Sequence, residues 1–526
     1  MDSLKNTLLN TVLGFHWEQI GIHHHKGINL PLSALHSHQS CGIGEFLDLI
    51  ALIEWCSDLN IDTIQLLPLN DSGLDPSPYN ALSSCALNPI YISLHHLPNI
   101  QYHKDLIEEL QSIQKLNLSP RISFQEVHFK KMAFLSLYFE KEGNNLLSSP
   151  DFISFITENT WLKPYALFKV LKEKNNQTHF CFWLDEHKNI SKETAEQLFT
   201  EFLSECSFHI ALQHLCFLQL KHVKQHAKEK NIFLKGDIPI LISPDSADVW
   251  FEPHLFDLQI SVGVPPDPYN EEGQYWGFPM PKWDVMREEG FLWWKNRLHY
   301  ASHFYDIYRI DHVFGLFRLW AIQTGRPSSE GHYEPIQKEL WEPLGRELLL
   351  TFIKSSSMLP IAEDLGDALS MIRTVLKELG ICGTKLIRWE KNNQNHFIEP
   401  SLYSPISLTC VSTHDSTTLE QWWRDEVDEA TLYALQNGWQ YSPCISKEQR
   451  THILKESLTS NSLFHINLFS EYLALVPHLV WPDPDQERIN IPGTILPTNW
   501  TYKFRHSIEK IISDPLLKIE IRILFF

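Results

Sequence analysis

Apolar residues along this chain gather in short runs, each closed by a polar or acidic residue and followed by a longer stretch with helical spacing. The run at 61–69, Ile61-Asp62-Thr63-Ile64-Gln65-Leu66-Leu67-Pro68-Leu69, sets the pattern, and 231–239 repeats it. Further runs end at Asp311, Glu363, Trp389 and Asp415, with helical periodicity between them, as at 336–354 and 368–379. Nearly continuous apolar strands alternating with helices imply a parallel sheet. Acids at the carboxyl ends of several strands favour a (β/α)8 TIM barrel over a doubly wound sheet, whose ligands gather at one switch point.

The stretch 98–228 departs from this rhythm. It carries amphipathic helix at 103–115, 124–142 and 193–228 and few strand candidates, which predicts a mainly helical subdomain inserted into a single catalytic barrel spanning 1–526. The first 40 residues are expected to form an irregular lead-in. After 420 more helix is predicted, then a proline-rich passage at 482–498 that returns to the cleft.

Composition narrows the partners. The net charge of −20 argues against a phosphate-backbone ligand, while an uncharged substrate is indifferent to that field. Seventeen tryptophans exceed what a core requires and suit both core packing and stacking on sugar rings. The nine cysteines are odd in number and scattered without a CxxC pair, a pattern of reduced thiols in a cytosol. The start of the chain has no basic segment followed by an apolar run, and no stretch of 18 or more apolar residues occurs, so a cytoplasmic protein is expected.

Three acids stand out. Asp306-Ile307-Tyr308-Arg309-Ile310 reads as a buried strand with Asp311 at its carboxyl end, Leu359-Pro360-Ile361-Ala362 leads into Glu363, and the run 408–414 leads through His414 into Asp415. An acid so placed is costly to desolvate unless chemistry or a strong partner requires it. A strand-end salt bridge or a helix N-cap would explain any one of them, but three together predict a shared rim. Cleavage of a glycosidic bond with retention needs a carboxylate nucleophile and a carboxylic acid about 5–5.5 Å apart. Neighbouring strands, about 4.8 Å apart, supply that spacing. Arg309 lies two residues before Asp311, on the same face, and is expected to depress its pKa; Glu363 needs a raised one.

Two stretches read as substrate loops: Pro76-Ser77-Pro78-Tyr79-Asn80, and the proline- and glycine-punctuated 263–277, which carries Tyr275 and Trp276. Their aromatics would either meet substrate or pack on the barrel. His23-His24-His25 is read as a solvated loop or cleft edge, because adjacent extended residues face opposite ways and no acid or cysteine follows at ligand spacing.

In this order the motifs resemble the 4-alpha-glucanotransferases, or amylomaltases, of glycoside hydrolase family 77. The likeness runs from Gly42-Ile43-Gly44-Glu45-Phe46 through Ser77-Pro78-Tyr79, Gly236-Asp237-Ile238-Pro239, Gly273-Gln274-Tyr275-Trp276-Gly277, Arg309-Ile310-Asp311-His312, Ala362-Glu363-Asp364-Leu365-Gly366 and Thr413-His414-Asp415 to Glu487-Arg488-Ile489-Asn490-Ile491-Pro492-Gly493-Thr494. The resemblance implies that Asp311 is the nucleophile of a covalent glycosyl-enzyme, Glu363 the acid/base and Asp415 the third acid, gripping sugar hydroxyls. It implies that Arg309 and His414 hold the nucleophile and the sugar, that Tyr79 and Trp276 lie near the cleft, and that Asp237 faces the same sugar. Val313-Phe314-Gly315-Leu316-Phe317-Arg318 lacks the arginine that many relatives place directly before the glycine, and is similar to the branch of cytosolic maltose-acting transglucosidases.

The expected reaction passes a segment of an α-1,4-glucan to the 4-hydroxyl of glucose or another glucan. It calls for no metal or organic cofactor, and no nucleic-acid, membrane or obligate protein partner is expected. Two rivals stand beside it: an α-1,4-glucan hydrolase using the same acids, and a non-catalytic glycan-binding barrel.

Overall fold

The computed structural model describes residues 2–266, 271–366 and 369–525. Its strands are β1 (His25–Leu30), β2 (Thr63–Leu66), β3 (Phe233–Ile238), β4 (Phe256–Val264), β5 (Gln274–Pro281), β6 (Ile307–Ile310), β7 (Leu319–Gln323), β8 (His332–Glu334), β9 (Leu359–Ala362), β10 (Gly383–Leu386), β11 (Ser407–Cys410) and β12 (Phe464–Leu468). Eight of them form one parallel sheet in the order β10-β11-β12-β1-β2-β3-β6-β9. A parallel bridge between Ile361 and Cys382, with the Ala362 amide donating to the Cys382 carbonyl at 2.8 Å, joins the two end strands and closes the barrel. The other four pair antiparallel as β5-β4-β7-β8, a small sheet built from the segments flanking Asp311.

The barrel strands are short, four to six residues each. Ile307 and Ile310 of β6 are buried, while Arg309 is only partly covered. Lys235 of β3 is fully buried and donates to Gln65 of β2 at 2.6 Å, so the space enclosed by the strands is polar beneath the rim. Burial pushes the Lys235 ammonium down to about 7. Register then fixes the rim: Asp237 of β3 is opposite Arg309 of β6, and Ile310 is opposite Ala362 of β9. Asp311 and Glu363 therefore leave neighbouring strands at the same level.

Between β2 and β3 the chain passes through the helices Lys104–Gln114, Phe124–Leu147, Pro150–Glu158, Leu162–Lys174, Lys192–Glu201 and Leu203–Glu229. The long helix predicted at 193–228 is thus two, broken at Phe202. Lys131, wholly buried in helix Phe124–Leu147, ties it to the barrel by bonding the Glu45 carboxylate at 2.6 Å and the Ile92 carbonyl at 2.7 Å.

Three expectations are corrected. The first 40 residues are not simply irregular, since they contribute barrel strand β1, and β12 lies within the region read as helix after 420. The 263–277 segment is the end of a β-hairpin: Gly263 pairs with Tyr275 and Val264 with Gln274, while Asp267 lies outside the described residues. Ala368, the predicted start of the helix at 368–379, also lies outside them, and the helix is described as Ser370–Leu379. All nine cysteines are free, and only Cys181 and Cys444 are exposed. No helix among the described residues is long and apolar enough to cross a membrane.

Candidate active site

Arg309 is the hub of the rim. Its Nη1 lies 2.9 and 3.0 Å from the two oxygens of Asp237 and 2.7 Å from Asp311 Oδ1, and its Nη2 lies 3.8 Å from Glu363 Oε2. One guanidinium thus touches acids from three adjacent strands. The Asp311 side chain is 25% exposed and that of Glu363 14%, so both open to the cleft. Asp237 has no exposed side-chain surface. It lies under Arg309 and Tyr79, whose hydroxyl donates to it at 2.8 Å.

Backbone geometry positions Glu363. Its Oε2 accepts the amide of His312 at 2.9 Å and its Oε1 the amide of Leu365 at 2.8 Å. His312 adopts a left-handed backbone (φ 45°), which turns the chain sharply after Asp311 and aims that amide at the neighbouring carboxylate. Asp364, next along, is buried and accepts from the Thr384 amide at 2.6 Å and from Arg373 at 3.2 Å. Of this adjacent pair only Glu363 reaches the cleft.

Asp415 is gripped from the other side. His414 Nε2 sits 2.9 Å from the Tyr79 oxygen and 3.2 Å from Asp415 Oδ2. Because the Tyr79 hydroxyl donates to Asp237, the Nε2 proton serves the tyrosine oxygen and the Asp415 carboxylate. The Tyr79 and His414 rings stack at 5.4 Å, and Trp500 packs on both, at 5.5 and 5.8 Å. Asn490 Nδ2 donates to Asp415 Oδ1 at 2.7 Å, and Arg488 to the Asp415 carbonyl at 2.9 Å. The proline-rich passage therefore does come back to the rim. Trp276 on β5 reaches the same region, with its ring edge-on to His312 at 5.0 Å.

The three acids ionise differently. Burial raises Asp311 to about 6, with Asp237 and Glu363 adding to the rise against the pull of Arg309. Arg309 does pull Asp311 down, as its spacing predicts, but burial outweighs it. Asp311 is still mostly ionised at pH 7. Burial also raises Glu363, and outweighs Arg309 and the two backbone amides that favour its charged form. Asp415 goes the other way: burial opposes its ionisation, but His414 and the Asn490 hydrogen bond prevail and bring it down to about 2.

Sequence reasoning missed Arg488, Asn490 and Trp500 as members of the site. Glu487-Arg488-Ile489-Asn490 was visible as a motif, but nothing within it indicates that its partner is Asp415.

The fold and this rim define a (β/α)8-barrel enzyme with a carboxylate-lined cleft. The chain belongs to the 4-alpha-glucanotransferases of glycoside hydrolase family 77, whose family model matches residues 30–509. It is similar to a 4-alpha-glucanotransferase of Chlamydia caviae, 42% identical over 515 residues that cover 97% of this chain and 96% of that protein. A rice 4-alpha-glucanotransferase is 24% identical over 652 residues, covering 94% of this chain and 68% of its own. Among solved structures, the amylomaltase from Streptococcus agalactiae in complex with acarbose shares the fold, with a TM-score of 0.79 at 22% identity, covering 95% of this chain and 98% of that one.

Proposed function

We propose that this 4-alpha-glucanotransferase transfers a segment of a maltooligosaccharide or other α-1,4-glucan to the 4-hydroxyl of glucose or another glucan, in two displacements at Asp311. Glu363, protonated, gives its proton to the glycosidic oxygen as the Asp311 carboxylate attacks C1; the bond to the leaving sugar breaks and a glycosyl ester forms. The Glu363 carboxylate then takes the proton of the incoming 4-hydroxyl as that oxygen attacks C1 and releases Asp311.

One observation carries the reading: Asp311 and Glu363 leave paired strands at one level, contact the same guanidinium and open to one cleft. Asp415, ionised and held by His414 and Asn490, would hold sugar hydroxyls. Arg309 would orient the nucleophile, braced from behind by Asp237. Tyr79 and Trp276 would wall the cleft, and we infer that the hairpin bearing Trp276, with the helices at 98–228, favours a sugar acceptor over water.

The test is the product pattern from maltotriose. A ladder of longer maltooligosaccharides plus glucose, lost in Asp311→Asn, is the expected outcome. Net growth of reducing ends would instead indicate hydrolysis, and a wild-type rate in Asp311→Asn would remove the nucleophile assignment.

A further inference from the structure

The run His23-His24-His25 is absent from the cleft. His25 opens β1 and Asp62 immediately precedes β2, so both sit at the amino end of the barrel, opposite the rim. Residues two apart on an extended segment share a face, and His23 and His25 do so, with ring centroids 4.0 Å apart. Asp62 supplies the acid that local spacing could not reveal. His25 Nδ1 lies 2.8 Å from Asp62 Oδ2, and His23 Nε2 lies 3.5 Å from the same oxygen. Among the described residues this is the one group of three or more His, Cys, Asp or Glu side chains whose ligand atoms all lie within 4.8 Å of one another. His24 points elsewhere, to the Ser462 carbonyl at 2.8 Å and His465 Nε2 at 3.2 Å.

The hydrogen bonds around the cluster determine what it can hold. His25 Nε2 is 3.1 Å from the Gly21 carbonyl, which only accepts, so that nitrogen carries a proton. His25 Nδ1 then faces a carboxylate that also only accepts, and a cation must lie between them: a second proton on the ring or a metal ion. A histidine with one nitrogen on a backbone carbonyl and the other free is the usual orientation of a metal ligand. Asp62 is oriented likewise, its Oδ1 accepting from the Lys26 amide at 3.1 Å and the Thr63 hydroxyl at 2.9 Å, which turns Oδ2 to the histidines. His25 is fully buried, between the Phe464 and Phe233 rings, whereas the His23 side chain is 58% exposed and gives an ion access.

We propose that His23 Nε2, His25 Nδ1 and Asp62 Oδ2 bind one zinc-class divalent ion, with water completing a tetrahedron, and that the ion clamps the segment entering β1 to the start of β2. Bonds of about 2.0–2.2 Å imply ligand separations of roughly 3.3–3.5 Å in such a site. The His23 to Asp62 spacing already matches, and the His25 to Asp62 spacing has to open by about half an ångström. Two imidazoles and a carboxylate suit zinc better than calcium or magnesium, which take oxygen ligands.

The experiment titrates Zn2+ into the full-length, chelator-stripped protein by calorimetry and records the visible spectrum with Co2+. One equivalent bound, a tetrahedral Co2+ spectrum, and binding at least about 10-fold weaker in His23→Ala are expected. His23 is exposed, so this variant keeps the fold, which circular dichroism checks. No stoichiometric binding would leave the cation as a proton and overturn the site, as would equal Zn2+ affinity in wild type and His23→Ala.

Discussion

Replacing Arg309 by methionine removes the one cation that Asp237, Asp311 and Glu363 share while keeping the length of the side chain. An opposite charge at this range lowers a carboxyl pKa by about 1–3 units. Without it the Asp311 carboxyl should move further up by about that much, because burial and the two neighbouring acids are then opposed only by His312. The acid limb of kcat/KM reports the free enzyme's essential base, so the limb should shift upward by about the same amount. The assay is initial glucose release from maltotriose across the pH range, on protein shown to be folded. Stranding three acids without their cation costs about 3–5 kcal/mol, so the measurement belongs well below the melting midpoint. Arg309→Lys keeps a charge and should return the limb most of the way. An Arg309→Met limb at the wild-type position would refute the claim that this guanidinium governs Asp311.

Two further outcomes follow from the geometry. Asn490→Ala removes the 2.7 Å donor to Asp415 Oδ1, and since Asp415 is 44% exposed water replaces part of it; kcat/KM for maltotriose should fall roughly 10-fold, and an unchanged value would exclude Asn490 from the site. Lys131→Met leaves Glu45 buried without its cation and should cost about 3–5 kcal/mol in denaturant unfolding, with Glu45→Gln added to the same chain recovering most of it; a loss below about 1 kcal/mol would show that the pair does not tie helix to barrel.

The strands legible in the sequence are those whose apolar run ends in a conspicuous acid, namely β6, β9 and β11, together with β2, β3 and β10, whose run ends at Trp389. β1 and β12 were not legible, for a common reason. Phe464-His465-Ile466-Asn467-Leu468 alternates apolar and polar residues as a half-exposed strand would, yet all five are buried. His465 bonds the Ser457 carbonyl at 2.7 Å, and Asn467 accepts from the Val411 amide and donates to the Tyr472 oxygen, each at 2.9 Å. Asn29 of β1 is buried in the same way. Polar groups satisfied inside the fold cannot be told from solvated ones by local pattern.

At the rim, period-two spacing placed Arg309 and Asp311 on one face but carried no information on depth. Asp237, which only the family resemblance placed toward the sugar, has no exposed side-chain surface, whereas Asp311 has a quarter of its own exposed. Depth also sorts the roles. Asp415 has two side-chain donors, the adjacent His414 and an asparagine 75 residues further on, and at about 2 it carries no proton to give near neutral pH. Glu363 has two backbone donors from its own turn and its neighbour, yet burial leaves its pKa raised. Burial raises both Asp311 and Glu363, so what separates the two is their distance from the shared cation. Arg309 lies 2.7 Å from Asp311 against 3.8 Å from Glu363, which supports the proposal of Asp311 as nucleophile and Glu363 as proton donor. The Arg309→Met and Arg309→Lys pH profiles test it.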